Sequence, residues 1–449
     1  MGLDQSFSPK NLRRIWDLEA RRGRDRLSLY PDVRRAYDLA RDSRHRARAA
    51  RKGTVPYIGP PELAPESVAR ADRQIAESLL GASMAATSEI LVRSVESGAF
   101  VWGLARGQVV GGKRQTYSIA DTPEVFFADK HLQRVVGSTL ASRPRGRQSI
   151  VSGLIRTIDN NVPKIVVRAD VKDFYDSIDH RRLRSHLDTT TLSPSCRRLI
   201  DRLLTEMEVL TGKARGLPAG VGLSAKLAEL YIAQADRALR DTRGTLYFAR
   251  YVDDIVLVRA EESEGAVAPS AVVAEIETEL QLLGLSLNST KTLHRELVNN
   301  SLGKIEFLGY EIEYRGRSGP VVRLTDGRYK TIRARIDQTF SAWDRANPTN
   351  HGRRSLLLDR LRFLTANTRL SHNKRNALVG IYFSNPHLTD LKSLAGLDRY
   401  LQHRASQSSL PPGLDQKIAA LSFTDGFSRR TIHRWSMQRM TRLKGAWRA

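Results

Sequence analysis

Apolar residues recur at helical spacing near the N-terminus, give way to strand-like runs in the middle of the chain, and return to helical spacing beyond residue 325. Residues 10–52 read as helical, with Leu12, Ile15, Trp16 and Leu18 as apolar contacts. Residues 66–100 repeat the pattern through Ile75, Leu79, Leu80, Ile90, Leu91 and Val95. From Arg41 to Lys52 the chain is mostly Arg, Ala and Ser, and so reads as an exposed basic helix. Pro56, Pro60, Pro61 and Pro65 read as a linker. Residues 101–120 suggest two strands around a Gly-rich turn, Gly107 to Gly112, and helices are predicted over 124–142 and 147–160.

The middle segment changes period. Residues 164–171, Lys-Ile-Val-Val-Arg-Ala-Asp-Val, form a short apolar run that ends in an acid. Residues 246–258 read Leu-Tyr-Phe-Ala-Arg-Tyr-Val-Asp-Asp-Ile-Val-Leu-Val. β-Branched and aromatic residues flank a pair of aspartates placed where a tight hairpin turn would fall. Helical patterns cover 179–210, 223–240 and 271–283, and Ile305 to Tyr314 suggests another strand pair. Helices are then predicted over 326–345, 352–370, 373–383, 390–405 and 428–446. Hairpins outnumber βαβ units, which predicts an α+β fold rather than a doubly wound sheet.

Composition narrows the partners. A chain of 449 residues exceeds one ordinary core, so two to four domains are expected. The formal net charge of +25 points to a polyanion, with nucleic acid ahead of an anionic membrane surface. From Phe427 onward no acid occurs, while Arg429, Arg430, Arg434, Arg439, Arg442, Lys444 and Arg448 do, with Trp435 and Trp447 interleaved. The single cysteine, Cys196, excludes an internal disulfide and fits the reducing cytoplasm. No run of about 18 apolar residues is present, so no membrane span is expected. The first residues are not a secretory signal, and nothing supports the short N-myristoylation pattern at Gly2.

Asp170 at a strand end and Asp253–Asp254 at a hairpin tip suggest one shared site for hard cations. Carboxylates and substrate phosphates supply the oxygen ligands that Mg²⁺ requires. Two such ions about 4 Å apart serve phosphoryl transfer.

Five motifs in order resemble those of bacterial reverse transcriptases. Asp170 lies five residues before the aromatic Tyr175. Leu217-Pro218-Ala219-Gly220-Val221-Gly222-Leu223-Ser224 leads into a predicted helix. Tyr251-Val252-Asp253-Asp254 follows, then Gly284-Leu285-Ser286-Leu287-Asn288 with Lys291, then Phe307-Leu308-Gly309-Tyr310. The resemblance covers residues 110–315 and implies a right-hand polymerase fold. It places a basic helical N-terminal extension and linker at 1–65 and fingers at 66–163. The palm would span 164–318, with a helical insertion at about 180–215, and a helical thumb with a basic C-terminal extension would span 319–449.

The resemblance also implies roles. Asp170, Asp253, Asp254 and the carbonyl of Val171 would hold two Mg²⁺ ions, with Mn²⁺ a possible substitute, and Lys291 would act as general acid. Tyr175 would lie under the sugar and select deoxynucleoside triphosphates. Gly220, Ser224, Lys113, Arg114 and Arg147 would contact the nucleotide, and Phe307, Leu308 and Gly309 would grip the primer. The expected partners are an RNA, most simply a noncoding one, and the DNA product, with a partner protein or a second copy also possible and no membrane.

One departure matters. The family's Gln in the second motif is Ala219 here, and the form Leu217-Pro218-Ala219-Gly220, Ser224, Leu227-Ala228-Glu229-Leu230-Tyr231 resembles the abortive-infection, defence-associated branch more than group II intron enzymes. The expected activity is RNA-directed DNA synthesis in antiphage defence. Template-independent or protein-primed synthesis by the same site is a second reading, and a nucleic-acid-binding scaffold with a vestigial site is a third.

Overall fold

The structure, a computed structural model, describes residues 3–22, 26–52, 65–110, 114–140, 145–261, 268–298, 303–345, 351–370 and 377–447. It has the expected α+β character, with helices and antiparallel sheets. The chain divides into two compact units. One comprises Met1–Arg143 with Asp173–Ala233, and the other Pro144–Lys172 with Gln234–Ala449. The cuts expected at 65/66, 163/164 and 318/319 do not coincide with this division.

The first unit is mainly helical. Its helices begin where the sequence supplies caps. Ser8, Thr122 and Ser193 accept a backbone N–H ahead of Pro9–Arg21, Pro123–Thr139 and Pro194–Thr211, and a proline occupies the first turn of each. Pro65, expected in a linker, starts the helix Pro65–Glu96. The other three prolines of that stretch lie outside the described residues, as do Gly111 and Gly112 of the expected turn.

Pro65–Glu96 buries Ala76, Leu80, Met84, Leu91 and Val95 on one face. Among the described residues it is the one helix long and apolar enough, by length and composition, to cross a membrane. The basic helix Pro31–Arg51 is only partly exposed. It buries Ala40, Ser43 and Ala47, and Ser43 donates to Asp72 at 2.5 Å. The helical pattern expected over 179–210 breaks into His180–Asp188 and Pro194–Thr211.

The second unit contains a four-stranded antiparallel sheet, in the order Thr245–Tyr251, Asp254–Ala260, Lys164–Asp170, Leu293–Leu297. Ile150, Val151, Leu154 and Ile158 of helix Arg147–Ile158 share a core with Val166, Ala249, Val256 and Val258. The helix comes close to the sheet because Gly153 has no side chain. A Cβ there would lie 2.5 Å from the Tyr247 hydroxyl, which donates to the Ile150 carbonyl at 2.8 Å. A second, three-stranded sheet runs Gly303–Phe307, Tyr310–Tyr314, Val321–Leu324. Ile305 and Phe307 are buried while Lys304 and Glu306 are exposed, the alternation of a half-buried strand.

Towards the C-terminus the expectation of helices alone is corrected. Asn367–Leu370 and Ala377–Gly380 pair antiparallel, and Ile432–Arg434 adds in parallel. This sheet replaces parts of the helices expected over 352–370, 373–383 and 428–446. Asn367 organises it. Its buried amide donates to the Gly426 and Thr431 carbonyls at 3.0 and 3.2 Å and accepts from Tyr382 N–H at 2.9 Å. Gly380 has φ +128°, and a Cβ there would lie 2.5 Å from the Ala366 carbonyl oxygen.

Two glycines give opposite expectations. Gly81 lies inside helix Pro65–Glu96 with nothing near its missing Cβ, so Gly81→Ala should stabilise the protein by about 0.5–1 kcal/mol. A Cβ at Gly426 would lie 1.9 Å from the Thr365 carbonyl oxygen, so Gly426→Ala should cost about 1–3 kcal/mol or more. Urea unfolding of the two variants beside wild type measures both, and unfolding of Gly426→Ala at the wild-type midpoint would contradict the packing described.

Candidate active site

The second unit brings the three aspartates to one end of its four-stranded sheet. Tyr251 pairs with Asp254 across a two-residue turn made by Val252 and Asp253. Val252 has φ +63°, the left-handed region that the first position of such a turn requires and that a β-branched residue resists. Asp170 pairs directly with Asp254 on the neighbouring strand. The turn is stitched to that strand because Val171 N–H donates to the Asp253 carbonyl at 2.9 Å.

The segment from Gly284 to Lys291 closes over the same strand end. Gly284 has φ +72°, Lys172 N–H donates to the Ser286 carbonyl at 2.9 Å, and Asn288 N–H donates to the Asp170 carbonyl at 2.8 Å. A turn at Asn288 then places Lys291 Nζ 3.1 and 3.3 Å from the two carboxylate oxygens of the buried Asp170. Arg168 was not anticipated as part of the site. It lies two residues before Asp170, on the same face of the strand, and its Nη2 is 3.5 Å from Asp254 Oδ1. Burial pushes the Asp254 carboxyl up, Arg168 opposes that, and the charges of Asp253 and Asp170 add to it.

Among the described residues no three His, Cys, Asp or Glu side chains close into a ready-made metal cluster. The donor set still fits a hard cation. Only oxygen donors converge, like charges crowd together, and the ammonium of Lys291 stands where a cation would satisfy Asp170.

A second group of expected residues lies in the first unit. Tyr175 sits in the short helix Phe174–Ser177, its carbonyl accepting Leu217 N–H at 2.8 Å, and the Arg114 guanidinium covers its ring at 4.5 Å. Ala219 accepts Tyr117 N–H through its carbonyl at 2.7 Å. Gly220 has φ +104°, and a Cβ there would meet the Tyr117 carbonyl oxygen at 2.8 Å. Ser224 is fully buried, and its hydroxyl donates to the Pro218 carbonyl at 2.8 Å, which holds the turn. Asp129, which sequence reasoning missed, is buried and accepts Leu223 N–H at 3.0 Å near the start of helix Gly222–Asp241. Lys113 lies outside the described residues.

Arg147 also departs from expectation. Its Nε and Nη2 donate to the Leu308 carbonyl at 2.9 and 2.6 Å, and its Nη1 to the Ser384 carbonyl at 2.8 Å. Its guanidinium is thus engaged with the Phe307–Leu308–Gly309 turn and with Ser384. Leu308 and Gly309 have φ +47° and +80°. Arg328 was missed as well. A Cβ at Gly309 would lie 2.7 Å from its Nη1, which is buried with no hydrogen-bond partner among the described residues. Burial, with the charge of Arg147, pulls its pKa down.

Residues 128–312 match the family described as reverse transcriptase (RNA-dependent DNA polymerase). Apo telomerase from Candida tropicalis, truncated from its C-terminal domain, is similar with 14% identity and a TM-score of 0.33, over 43% of this chain and 45% of that one. Telomerase from Candida albicans, in complex with a TWJ fragment of telomeric RNA, is similar with 13% identity and a TM-score of 0.32, over 72% of this chain and 56% of that one. The chain spans about half the length of the two telomerase structures. No curated protein matches it. The family match spans every motif from Asp170 to Tyr310.

Proposed function

We propose that the protein extends DNA from deoxynucleoside triphosphates on an RNA template by two-metal nucleotidyl transfer with Mg²⁺, in the cytoplasm of a bacterium and in antiphage defence. The observation that carries the chemistry is the direct pairing of Asp170 with Asp254 beside the Asp253 turn. Two divalent cations, when bound, would favour attack by the primer 3′-hydroxyl on the α-phosphate and departure of pyrophosphate. The chain's own contribution is position and charge. Asp170, Asp253, Asp254 and the Val171 carbonyl supply oxygen ligands. Lys291, poised on Asp170, would donate its proton to the leaving pyrophosphate. The Tyr175 ring, backed by Arg114, would lie under the sugar and exclude a 2′-hydroxyl. The net charge of +25 suits an RNA template and a DNA product. The defence role rests on the Leu217-Pro218-Ala219-Gly220 sequence form, and a noncoding RNA is the template it suggests.

Ala219 favours a second reading, synthesis without a conventional template or from a protein hydroxyl. The position offers only a methyl group where the family carries an amide, so one contact to template and nucleotide is missing. Sequencing the product separates the two. A copy of an added RNA supports templated synthesis, and a homopolymer or simple repeat supports the alternative.

Three outcomes are expected in a primer-extension assay with Mg²⁺ and dNTPs. Asp253→Asn/Asp254→Asn should reduce incorporation to background, and incorporation that survives would refute the site. Lys291→Ala should lower kcat by about 10²-fold or more, as removal of a general acid does. Tyr175→Ala should raise the kcat/KM for NTPs relative to dNTPs by at least about tenfold, and an unchanged ratio would remove the sugar-selecting role.

A pH dependence follows from Asp254. Its raised pKa means that a proton competes with the metal at a higher pH than at an ordinary carboxylate. The Mg²⁺ concentration for half-maximal rate should therefore be higher at about pH 6 than at about pH 8, with excess Mg²⁺ recovering most of the rate. A half-saturation that does not change with pH would contradict this.

A further inference from the structure

The turn that carries Asp253 is strained, and something must hold it. Arg250 lies two residues before Val252, and its side chain is 3% exposed. Nε and Nη2 donate to the two carboxylate oxygens of Asp236 at 2.9 and 2.8 Å, a bidentate pair. Nη1 donates to the carbonyl of Val252 at 2.8 Å. Asp236 belongs to the C-terminal part of helix Gly222–Asp241, which from Gln234 onward lies in the same unit as the turn, so one planar guanidinium ties the turn to a regular helical segment. Val252, with φ +63°, occupies the position of such a turn that glycine favours, and a β-branched residue stays there only if its surroundings over-determine it.

We propose that Arg250, locked by Asp236, is a positioning residue that holds the Val252 turn in its left-handed conformation and thereby fixes Asp253 and Asp254 for nucleotidyl transfer. This rests on the polymerase reading above. The same device occurs a second time. Among the described residues four non-glycine residues have positive φ: Asp173, Val252, Leu308 and Arg430. Val252 and Leu308, the two apolar ones, each present their carbonyl to a guanidinium, from Arg250 and from Arg147. Lysine cannot replace such an arginine, because a single ammonium cannot face a carboxylate side-on and reach a carbonyl in a fixed plane.

The test uses the full chain and three variants, Arg250→Lys, Val252→Gly and the double variant. Arg250→Lys should lower kcat about tenfold or more with KM for dNTP within about twofold of wild type, because only the reacting geometry is disturbed. Adding Val252→Gly should restore part of the kcat, because glycine adopts positive φ without help. Hydrogen exchange of the peptide covering residues 246–258 reads the clamp without activity. It should speed up in Arg250→Lys and slow again in the double variant. Wild-type kcat with unchanged exchange in Arg250→Lys overturns the proposal. So does a loss of activity and protection that Val252→Gly does not rescue, since Arg250 would then serve only the general fold. If wild type incorporates no nucleotide at all, the polymerase reading fails, while the exchange comparison still decides whether Arg250 holds the turn.

Discussion

The antiparallel pairing of Lys164–Asp170 with Asp254–Ala260 is the constraint from which the site follows. It sets two aspartates opposite each other at a strand end. At about 5 Å and an effective dielectric near 20, their repulsion is about 3 kcal/mol when both are ionised. The sheet outweighs this by burying Val166, Val167, Ile255, Val256, Leu257 and Val258, each contributing about 1.5–3 kcal/mol. Burial alone does not choose the register, however, because both faces of these strands are covered and a one-residue slip would still bury aliphatic groups. Polar anchors choose it. Lys164 Nζ donates to the Thr157 and Asn160 carbonyls at 3.4 and 3.2 Å, and Arg259 meets Glu275 at 2.6 Å. The two-residue turn fixes the remaining degree of freedom.

The cations around the carboxylates complete the electrostatics. The Lys291 side chain is 56% exposed, so its ion pair with Asp170 is worth well under about 1 kcal/mol and is readily displaced. That weakness suits a residue proposed to leave Asp170 when a harder cation arrives and to face a leaving phosphate instead. Arg168 is less exposed and lies beside Asp254, where its charge works against the rise that burial imposes on that carboxyl's pKa. The aspartates thus remain available as oxygen donors inside a largely apolar sheet, with the surrounding positive charge suited to a polyanionic substrate.

The parts of this arrangement that were legible in the sequence are those where period and residue type agree. The apolar run 164–170, the Asp-Asp hairpin and the helix that follows Thr122-Pro123 announce themselves locally, while the Ser193-Pro194 start, hidden inside one continuous helical pattern over 179–210, does not. Leu293–Leu297 does not, because four of its five residues are exposed and show no alternation. Nor do the strands near residues 367–380, which are four residues long and depend on the Asn367 side chain bonding to backbone about sixty residues away. Motif residues were legible by type and order but not by direction. The Ser224 hydroxyl turns inward to Pro218, and the Arg147 guanidinium turns to Leu308, and spacing alone cannot reveal either.

A bulky residue in a strained turn is at first sight a poor choice beside glycine. Glycine would relax the backbone, but it would also open more unfolded and alternative turn conformations. A valine at position 252 has fewer states available, so one buried carbonyl bond from Arg250 is enough to select among them. Leu308 and Arg147 solve the same problem on the neighbouring sheet. The tolerance for a reacting group is about 0.5 Å, and a turn reaches it when few states are available and one is tied to a rigid element. Strain at Val252 and the buried charge pair at Arg250–Asp236 would each be a local cost if taken alone. Together they make the loop that carries Asp253 as well defined as the strands on either side of it.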